Sequence, residues 1–310
     1  MNKYTEKINL CMREINRFIV GKENIIKLLL ISILSGGHVL LEGYIGVAKT
    51  LLSKTFARVI GGTFRRIQCT SDLLPSDVLG TYVYSQKTGE YILKKGPIFS
   101  NIILLDEIDR ASPRTQSAFI EAMQENQVSI EGVTLKLPQP FMIIATRVFI
   151  EEEGVFTLPK VQLDRFMMRI PVTIPLPKEE IEILNRIDLI DRFNVRRIFR
   201  LEDILWLKEE ARRITVSPLI KKYIVEIINY LRKNRYVDFP VSPRGSIYLL
   251  KGARAKALLE GRDYVIPDDV KDIGFYVLNH RIGLKTEAEM EGITISSIIN
   301  EAFKKIPVPR

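Results

Sequence analysis

Apolar side chains in the first 35 residues recur at helical spacing among charged ones. Ile8, Ile15 and Ile19 are followed by the apolar run 25–34, and Gly21 interrupts the pattern. Apolar residues that recur every three or four positions lie on one face of a helix, whereas glycine weakens a helix interior. The N-terminal sequence therefore predicts two helices that are separated near Gly21.

Five short segments, most of them apolar runs, are candidates for buried strands. They lie at residues 38–42, 63–69, 101–105, 141–146 and 167–174, and helical or loop-forming sequence separates them. Continuous apolar runs are typical of strands that are covered on both faces, as parallel strands usually are. The alternation of such runs with helices favours an α/β fold with a mostly parallel sheet.

A further pair of strands is predicted outside this sheet. Residues 81–95 contain two stretches of alternating polar and apolar residues on either side of Lys87-Thr88-Gly89. A glycine-containing turn between two such stretches is typical of a β-hairpin. We expect this hairpin to project from the body of the domain.

A cluster of prolines at Pro171, Pro175 and Pro177 marks a linker. Proline disfavours both a continued helix and a central strand. Beyond the cluster the pattern is helical almost to the C-terminus. We therefore predict two domains, with the sheet in residues 1–175 and an all-helical domain in residues 176–310.

Aromatic residues recur in the predicted helices of this second domain. Trp206, Tyr223, Tyr230 and Tyr248 lie on their apolar faces. Aromatic side chains at helical spacing supply large buried areas to a core. We expect these four to pack in the core rather than to line a ligand site.

The composition gives no indication of a membrane span or of a secretion signal. Hydrophobic residues make up 46% of the 310 residues, yet the longest apolar runs are shorter than the roughly 18 to 20 residues that cross a bilayer. The N-terminus mixes charges and lacks the apolar segment and small-residue cleavage site of a signal peptide. We therefore expect a soluble, cytoplasmic protein.

The formal net charge of +9 is spread along the chain rather than collected in one basic tract. A positive charge can favour nucleic acid or an acidic partner, but a spread of this kind is also typical of an ordinary basic surface. We favour the ordinary surface and keep nucleic-acid binding as an alternative.

Cysteines and histidines offer little material for catalysis. Cys11 and Cys69 each stand alone, which predicts two reduced, buried thiols rather than a disulfide or a zinc site. His38 and His280 lie far apart in the sequence and do not suggest histidine acid–base chemistry or a transition-metal centre. Catalysis must therefore rest on carboxylates and cations.

The most specific motif follows the first predicted strand and opens a predicted helix at residues 43–50. In that context glycines bring backbone N–H groups close to phosphate oxygens, and the helix N-terminus adds its positive end. We expect Lys49 to reach the β- and γ-phosphates and Thr50 to offer its hydroxyl to Mg²⁺. Ala48 occupies the position of the usual last glycine. The predicted nucleotide-binding residues are Gly43, Gly46, Val47, Ala48, Lys49, Thr50 and Leu51.

Two adjacent carboxylates follow another predicted strand. Asp106 and Glu107 come directly after the apolar residues 102–105, at the strand end where α/β proteins bind ligands. Asp106 suits direct coordination of Mg²⁺ or a hydrogen bond to one of its bound waters, and Glu107 suits a base that polarises the attacking water. Together with the phosphate loop, this pair predicts a site for ATP and Mg²⁺.

The chain at this point resembles the MoxR-type AAA+ ATPases, from the clade with a hairpin inserted in the second helix. The resemblance extends in order from residue 37 to about residue 270. Besides residues 43–50, the matching segments are Phe64-Arg-Arg-Ile-Gln, Asp72-Leu-Leu-Pro-Ser-Asp-Val-Leu-Gly, Gly96-Pro-Ile-Phe, Leu105-Asp-Glu-Ile-Asp-Arg-Ala, Leu158-Pro-Lys-Val-Gln-Leu-Asp-Arg-Phe and Ser242-Pro-Arg. The resemblance implies a P-loop αβα sandwich with a C-terminal helical lid, assembled into a hexameric ring with ATP between subunits.

The resemblance also implies roles for two arginines. Arg165 matches the arginine finger, which reaches into the site of the adjacent subunit, and Arg169 is the second candidate. Arg244 matches the sensor 2 arginine, which touches the γ-phosphate and couples the lid angle to the nucleotide. Ser242 and Pro243 before it fit a helix start.

The chain departs from the family pattern after its fourth predicted sheet strand. The family usually has Ala-Thr-Gln-Asn-Pro where this chain has Ala145-Thr146-Arg147-Val148-Phe149, so the polar sensor 1 position falls on Val148. Valine cannot form a side-chain hydrogen bond. Thr146 and Arg147 are the candidate substitutes. Loss of one water-positioning donor predicts turnover that is slower by about 10²-fold.

The resemblance implies an ATP-dependent switch that remodels or activates protein partners, often von Willebrand factor A-type proteins. Because of Val148, an alternative is a scaffold that assembles with ATP and hydrolyses it weakly or not at all. A second alternative is a nucleic-acid motor, since related AAA+ clades with this hairpin include helicases. The sequence identifies neither the client nor the stoichiometry.

Overall fold

The computed structural model describes residues 2–149 and 155–309. In chain order, the strands are β1 (Val39–Gly43), β2 (Phe64–Gln68), β3 (Gly80–Ser85), β4 (Glu90–Lys95), β5 (Ile102–Asp106), β6 (Gln127–Ile130), β7 (Val133–Lys136), β8 (Met142–Arg147), β9 (Met168–Val172), β10 (Val237–Phe239) and β11 (Gly283–Leu284).

The helices are α1 (Asn2–Asn16), α2 (Glu23–Ser35), α3 (Lys49–Val59), α4 (Pro75–Leu79), α5 (Pro113–Glu125), α6 (Lys160–Leu163), α7 (Pro177–Asn185), α8 (Ile187–Arg192), α9 (Leu201–Arg213), α10 (Pro218–Arg232), α11 (Pro243–Leu259), α12 (Pro267–Leu278), α13 (Thr286–Met290) and α14 (Ile295–Lys305). A 3₁₀ turn covers Ile108–Arg110. The break between α1 and α2 includes Gly21 at φ +69°, as the sequence predicted.

The central sheet is parallel and has the order β2-β5-β8-β1-β9. Its strands lie in the five segments predicted from the sequence, but β2 is not buried as expected, because it is an edge strand with Arg65, Arg66 and Gln68 exposed. Successive side chains point to opposite faces, and β5 shows why the runs are continuous. Ile102 and Leu104 join a core with the N-terminal and C-terminal helices, whereas Ile103 and Leu105 join a second core with α5. Both faces are therefore covered, and the αβα sandwich is confirmed.

The predicted hairpin is also confirmed. β3 and β4 pair antiparallel, with Ser85 opposite Glu90 across a turn that includes Gly89 at φ +70°. A second hairpin, β6–β7, was not predicted from the sequence. It closes through Glu131 and Gly132, both with positive φ, which is the geometry of a tight hairpin turn.

The chain after β9 is helical apart from the short antiparallel pair β10–β11. The domain boundary at residues 175/176 stays a prediction, although β9 ends at Val172 and α7 begins at Pro177. One buried apolar cluster continues from the sheet into the C-terminal helices. Among the described residues, no helix is both long enough and apolar enough to cross a bilayer.

The aromatic residues of the C-terminal helices differ in burial. Tyr223 is buried, and Tyr230 and Tyr248 are partly buried against the core. The prediction for Trp206 was wrong, because its side chain is 40% exposed and stacks on Tyr4 at 4.1 Å between ring centroids. The buried face of α9 carries Ile204, Leu207 and Ala211. Trp206 lies at the edge of this face, so its indole packs on the N-terminal helix instead.

Both cysteines are free and buried, as predicted. Burial raises the pKa of the Cys11 thiol to about 12. Burial also raises the pKa of Cys69 to about 12, with a further contribution from nearby carboxylates such as Asp106. Because the thiolate is the reactive form, neither side chain is suited to act as a nucleophile.

Candidate nucleotide-binding site

The loop between β1 and α3 has the backbone geometry of a phosphate-binding loop. A Cβ atom on Gly43 would lie 2.2 Å from the Val172 carbonyl oxygen, so only glycine fits beside β9. Gly46 has φ +80° and Ala48 has φ +64°. The left-handed conformation costs a residue with a Cβ atom about 1 kcal/mol, which explains why glycine is usual at position 48. The free N–H groups at the start of α3 point into the loop region.

Lys49 is held inside this loop. Its ammonium Nζ donates to the carbonyl oxygens of Gly43 at 2.7 Å and Tyr44 at 2.8 Å. Burial lowers the pKa of Lys49, while the carboxylates of Asp106 and Glu107 oppose that effect. A partly desolvated ammonium among backbone N–H groups is suited to bind phosphate oxygens.

Thr146 connects the two carboxylate residues at the carboxyl ends of β5 and β8. Its hydroxyl donates to Oδ1 of Asp106 at 2.6 Å and accepts from the backbone N–H of Glu107 at 2.9 Å. The parallel pairing of Leu105 with Ala145 places these residues side by side. Thr146 therefore fixes both the side chain of Asp106 and the backbone of Glu107.

Arg66 occupies the other oxygen of Asp106. Its Nε lies 2.9 Å and its Nη2 lies 2.7 Å from Oδ2. Mg²⁺ prefers oxygen ligands, and the Asp106 carboxylate with the Thr50 hydroxyl supplies them at the pocket. These residues fit a magnesium–nucleotide complex, but Arg66 competes with the ion for Asp106.

Glu107 is held in a left-handed backbone conformation, with φ +58°. Its side-chain oxygen Oε2 contacts Gln68 Nε2 at 3.3 Å and Arg110 Nε at 2.8 Å. A carboxylate at this place in the pocket can accept a proton from a water. Strained backbone of this kind is often found at functional sites.

A single pocket of about 400 Å³ gathers most of the predicted site. Gly43 lies at the base of the loop rather than in the wall. The lining residues are Ile45, Gly46, Val47, Ala48, Lys49, Thr50, Leu51, Arg66, Asp106, Glu107, Thr146 and Val148.

The alternation of β8 separates the candidate substitutes for the missing sensor 1 side chain. Thr146 and Val148 line the pocket. Arg147 points away from it, with Nε 3.3 Å from Asp109 and Nη1 3.8 Å from Glu42. Arg147 is therefore not a substitute in this structure, whereas Thr146 lies in the pocket.

Arg165 and Arg244 lie together, outside the lining of this pocket. Arg244 Nη1 donates to Oδ2 of Asp164 at 3.1 Å, and the Ser242 hydroxyl donates to the same carboxylate at 2.8 Å. Burial lowers the pKa of Arg165, and the nearby Arg244 adds to that effect. Ser242 and Pro243 do begin α11.

Arg169 has partners within its own chain. It donates to the side-chain and backbone oxygens of Asn279 at 3.2 and 3.0 Å, and its Nη1 lies 3.6 Å from Glu42. These contacts join β9 to the end of α12.

Sequence reasoning did not assign Arg66, Gln68 or Asp164. Arg66 and Gln68 could have been found from the sequence, because they occupy alternate positions of a strand that neighbours β5. Asp164 directly precedes Arg165, but its contact with Arg244 spans 80 positions. No local pattern predicts such a contact.

Residues 38–168 match the family described as ATPase family associated with various cellular activities (AAA), and residues 229–302 match the AAA lid domain. Bacillus subtilis YeaC is 44% identical over 96% of this chain and 93% of its own length. Mycobacterium tuberculosis chaperone MoxR1 is 42% identical over 96% of this chain and 81% of its own length.

A solved structure gives the same picture. The crystal structure of a putative ATPase from Cytophaga hutchinsonii is 40% identical, covers 99% of this chain and 96% of its own, and superposes with a TM-score of 0.92. Methylorubrum extorquens MoxR is 30% identical over 96% of this chain and 94% of its own length. With its phosphate loop, strand-end carboxylates and helical lid, the chain belongs to the MoxR family of AAA+ ATPases.

Proposed function

We propose that this protein binds Mg-ATP in the pocket, hydrolyses it and uses the cycle to remodel a protein partner. The observation that carries the proposal is the convergence of Lys49, Thr50, Asp106 and Glu107 on one pocket at the carboxyl ends of parallel strands. That edge of an α/β sheet is where ligands bind.

The hydrolytic step follows from the contacts of Glu107. The Glu107 carboxylate accepts a proton from the water that attacks the γ-phosphorus, and the bond from that phosphorus to the β,γ-bridging oxygen breaks, which releases ADP. Lys49 and the backbone N–H groups of the loop offset negative charge on the phosphate oxygens. Mg²⁺, held by Thr50 and Asp106, would neutralise further charge on the β- and γ-phosphates. Arg66 must leave Asp106 as the ion binds.

Assembly into a hexameric ring is part of the proposal. Arg165 and Arg244 lie side by side and outside the pocket of their own chain. Both side chains are partly buried, and Arg244 shares the Asp164 carboxylate with Arg281. Neighbouring cations that share one carboxylate have a role if the phosphates of an adjacent subunit approach them. We therefore assign Arg165 and Arg244 to the nucleotide of the neighbouring subunit.

The partner is proposed from the relatives. The Mycobacterium tuberculosis relative is named a chaperone, which supports a protein client and, by extension of the family resemblance, a von Willebrand factor A-type protein. The exposed side chains Val83, Tyr84, Tyr91 and Ile92 of the β3–β4 hairpin offer an apolar surface for such a client.

Steady-state ATP hydrolysis and binding of a fluorescent ATP analogue test the nucleotide proposal in wild type and Glu107→Gln. We expect both to bind the analogue and Glu107→Gln to lose at least about 10²-fold in kcat. Equal, background-level hydrolysis by both proteins, with binding and assembly intact, would contradict the ATPase proposal and support the scaffold.

Mixed rings test the assignment of the arginines. Glu107→Gln subunits retain Arg165 and Arg244, and Arg165→Ala subunits retain an intact pocket. We expect a mixture of Glu107→Gln and Arg165→Ala subunits to hydrolyse ATP faster than the sum of the two separate activities. We expect the same of Glu107→Gln mixed with Arg244→Ala. Arg212→Ala is the control, because Arg212 pairs with Glu209 on an exposed helix face away from the pocket. Absence of recovery on mixing would show that the arginine acts within its own chain.

A further inference from the structure

A second and larger concavity lies at the opposite edge of the sheet from the nucleotide pocket. Its volume is about 1030 Å³, and it borders the amino end of β2 and the segments that precede β2 and β5. A five-residue strand spans roughly 15 Å, so this concavity is separate from the nucleotide site. We call it the basic groove; it is lined by Lys54, Arg58, Gly61, Gly62, Thr63, Phe64, Arg65, Lys95, Gly96, Pro97, Phe99, Ser100 and Phe193.

The groove carries four cations and no carboxylate in its lining. Lys54, Arg58, Arg65 and Lys95 are all exposed. Across residues 2–149 and 155–309, none of these four forms an ion pair, although ion pairs are common elsewhere on the surface. Four like charges that converge without counter-charges raise the local concentration of anions.

Two of the cations are placed by aromatic rings. Lys54 Nζ lies 4.1 Å from the ring centroid of Phe193, and Lys95 Nζ lies 5.1 Å from that of Phe99. Contacts of this kind restrain a lysine while leaving its N–H donors available to a ligand. Each lysine also covers one face of its ring, which leaves less ring surface for the stacking on nucleic-acid bases that single-strand binders use.

We propose that the basic groove binds an acidic segment of a protein partner. Carboxylates of the segment would pair with the four cations, and its apolar parts would contact Phe64, Pro97 and the edges of the rings. β2 is an edge strand, so the groove is open to an extended chain along that side. The inference does not depend on ATP hydrolysis; if the proposed function holds, the segment belongs to the client.

Fluorescence anisotropy with a labelled peptide of glutamate and leucine residues tests the proposal on the full chain. The variant is Arg58→Glu/Arg65→Glu. Its control is Lys221→Glu/Lys233→Glu, which changes the net charge equally at exposed positions of the C-terminal helices. We expect the groove variant to bind the peptide about tenfold more weakly and the control to match wild type. Binding should also weaken from about 50 mM to about 200 mM salt.

Three outcomes would overturn the proposal. Equal weakening in both variants would assign binding to net charge, and wild-type binding of oligothymidine but not of the peptide would assign the groove to nucleic acid. If neither probe binds and only the groove variant changes its sedimentation, the groove is an interface between copies of this chain. Binding of the fluorescent ATP analogue, measured in parallel, verifies folding and separates this result from the fate of the nucleotide proposal.

Discussion

The buried imidazole of His38 predicts how the stability of this protein depends on pH. His38 precedes β1 and is 2% exposed. Its Nδ1 accepts the backbone N–H of Ile143 at 2.9 Å, and its Nε2 lies 3.0 Å from the carbonyl oxygen of Met123. These partners fix the neutral tautomer with the proton on Nε2. A second proton on Nδ1 would oppose the N–H of Ile143, and burial lowers the pKa of His38 from 6.5 to about 4.

The direction in which stability changes with pH follows from proton binding. A histidine whose pKa is lower in the folded state binds fewer protons when folded, so stability is complete above the unfolded pKa and is lost as pH falls below it. With 6.5 for the unfolded state and about 4 for the folded state, the loss from His38 at about pH 5 is about 2 kcal/mol. His280 is also buried, and burial lowers its pKa as well, so the wild type loses more than this amount.

Urea unfolding at about pH 7.5 and about pH 5 measures the effect in wild type and in His38→Gln. Glutamine keeps a donor and an acceptor but does not titrate in this range. We expect the loss of unfolding free energy between the two pH values to be about 2 kcal/mol smaller in the variant. His280→Gln is the matched control for the second histidine. An equal loss in wild type and His38→Gln would refute the reasoning, whatever their absolute stabilities.

Three further substitutions concern the nucleotide pocket. Val148→Asn restores a polar group beside the attacking water, so kcat for ATP should rise by up to about 10²-fold, and an unchanged kcat would show that this position does not limit turnover. Ala48→Gly removes a left-handed alanine and should raise the free energy of unfolding by up to about 1 kcal/mol in urea titrations, whereas destabilisation would contradict the strain. Arg66→Ala frees Asp106 for the ion, so in the Glu107→Gln background half-maximal binding of the ATP analogue should need less Mg²⁺ than with Arg66 present. An unchanged magnesium requirement would show that the two do not compete.

The central sheet was predictable because its signal is local and strong. Residues 102–105 are apolar without interruption, and strands buried on both faces require that composition. The β6–β7 hairpin was missed because its turn is Glu131-Gly132 rather than the more typical Asn-Gly or Asp-Gly. The Glu-Gly turn and the Asn-Gly turn share the same positive-φ backbone geometry. Only Asn-Gly and Asp-Gly are frequent enough in hairpins to be recognised from the sequence.

That the loop residues and the two carboxylates line one pocket was predictable for a similar reason, since they sit at strand ends that parallel pairing brings together. The contacts of the arginines could not be predicted from the sequence. Arg281 Nε lies 3.0 Å from Oδ1 of Asp164, with 117 positions between the two residues, and Arg244 shares the same carboxylate. Only the packing of α11 and the end of α12 against the sheet domain sets these partners.

The structure also indicates which part of catalysis the valine at the sensor 1 position affects. Thr146 holds the Asp106 carboxylate and the Glu107 backbone without any contribution from Val148. The proposed base Glu107 and the proposed metal ligand Asp106 are therefore placed independently of the missing polar group. Val148 lacks only a contact to the attacking water, which matters in the transition state and not in the binding of ATP. An interaction made only in the transition state lowers kcat when it is lost and leaves ground-state affinity unchanged. The defect expected of this family member is thus slow turnover with normal ATP binding.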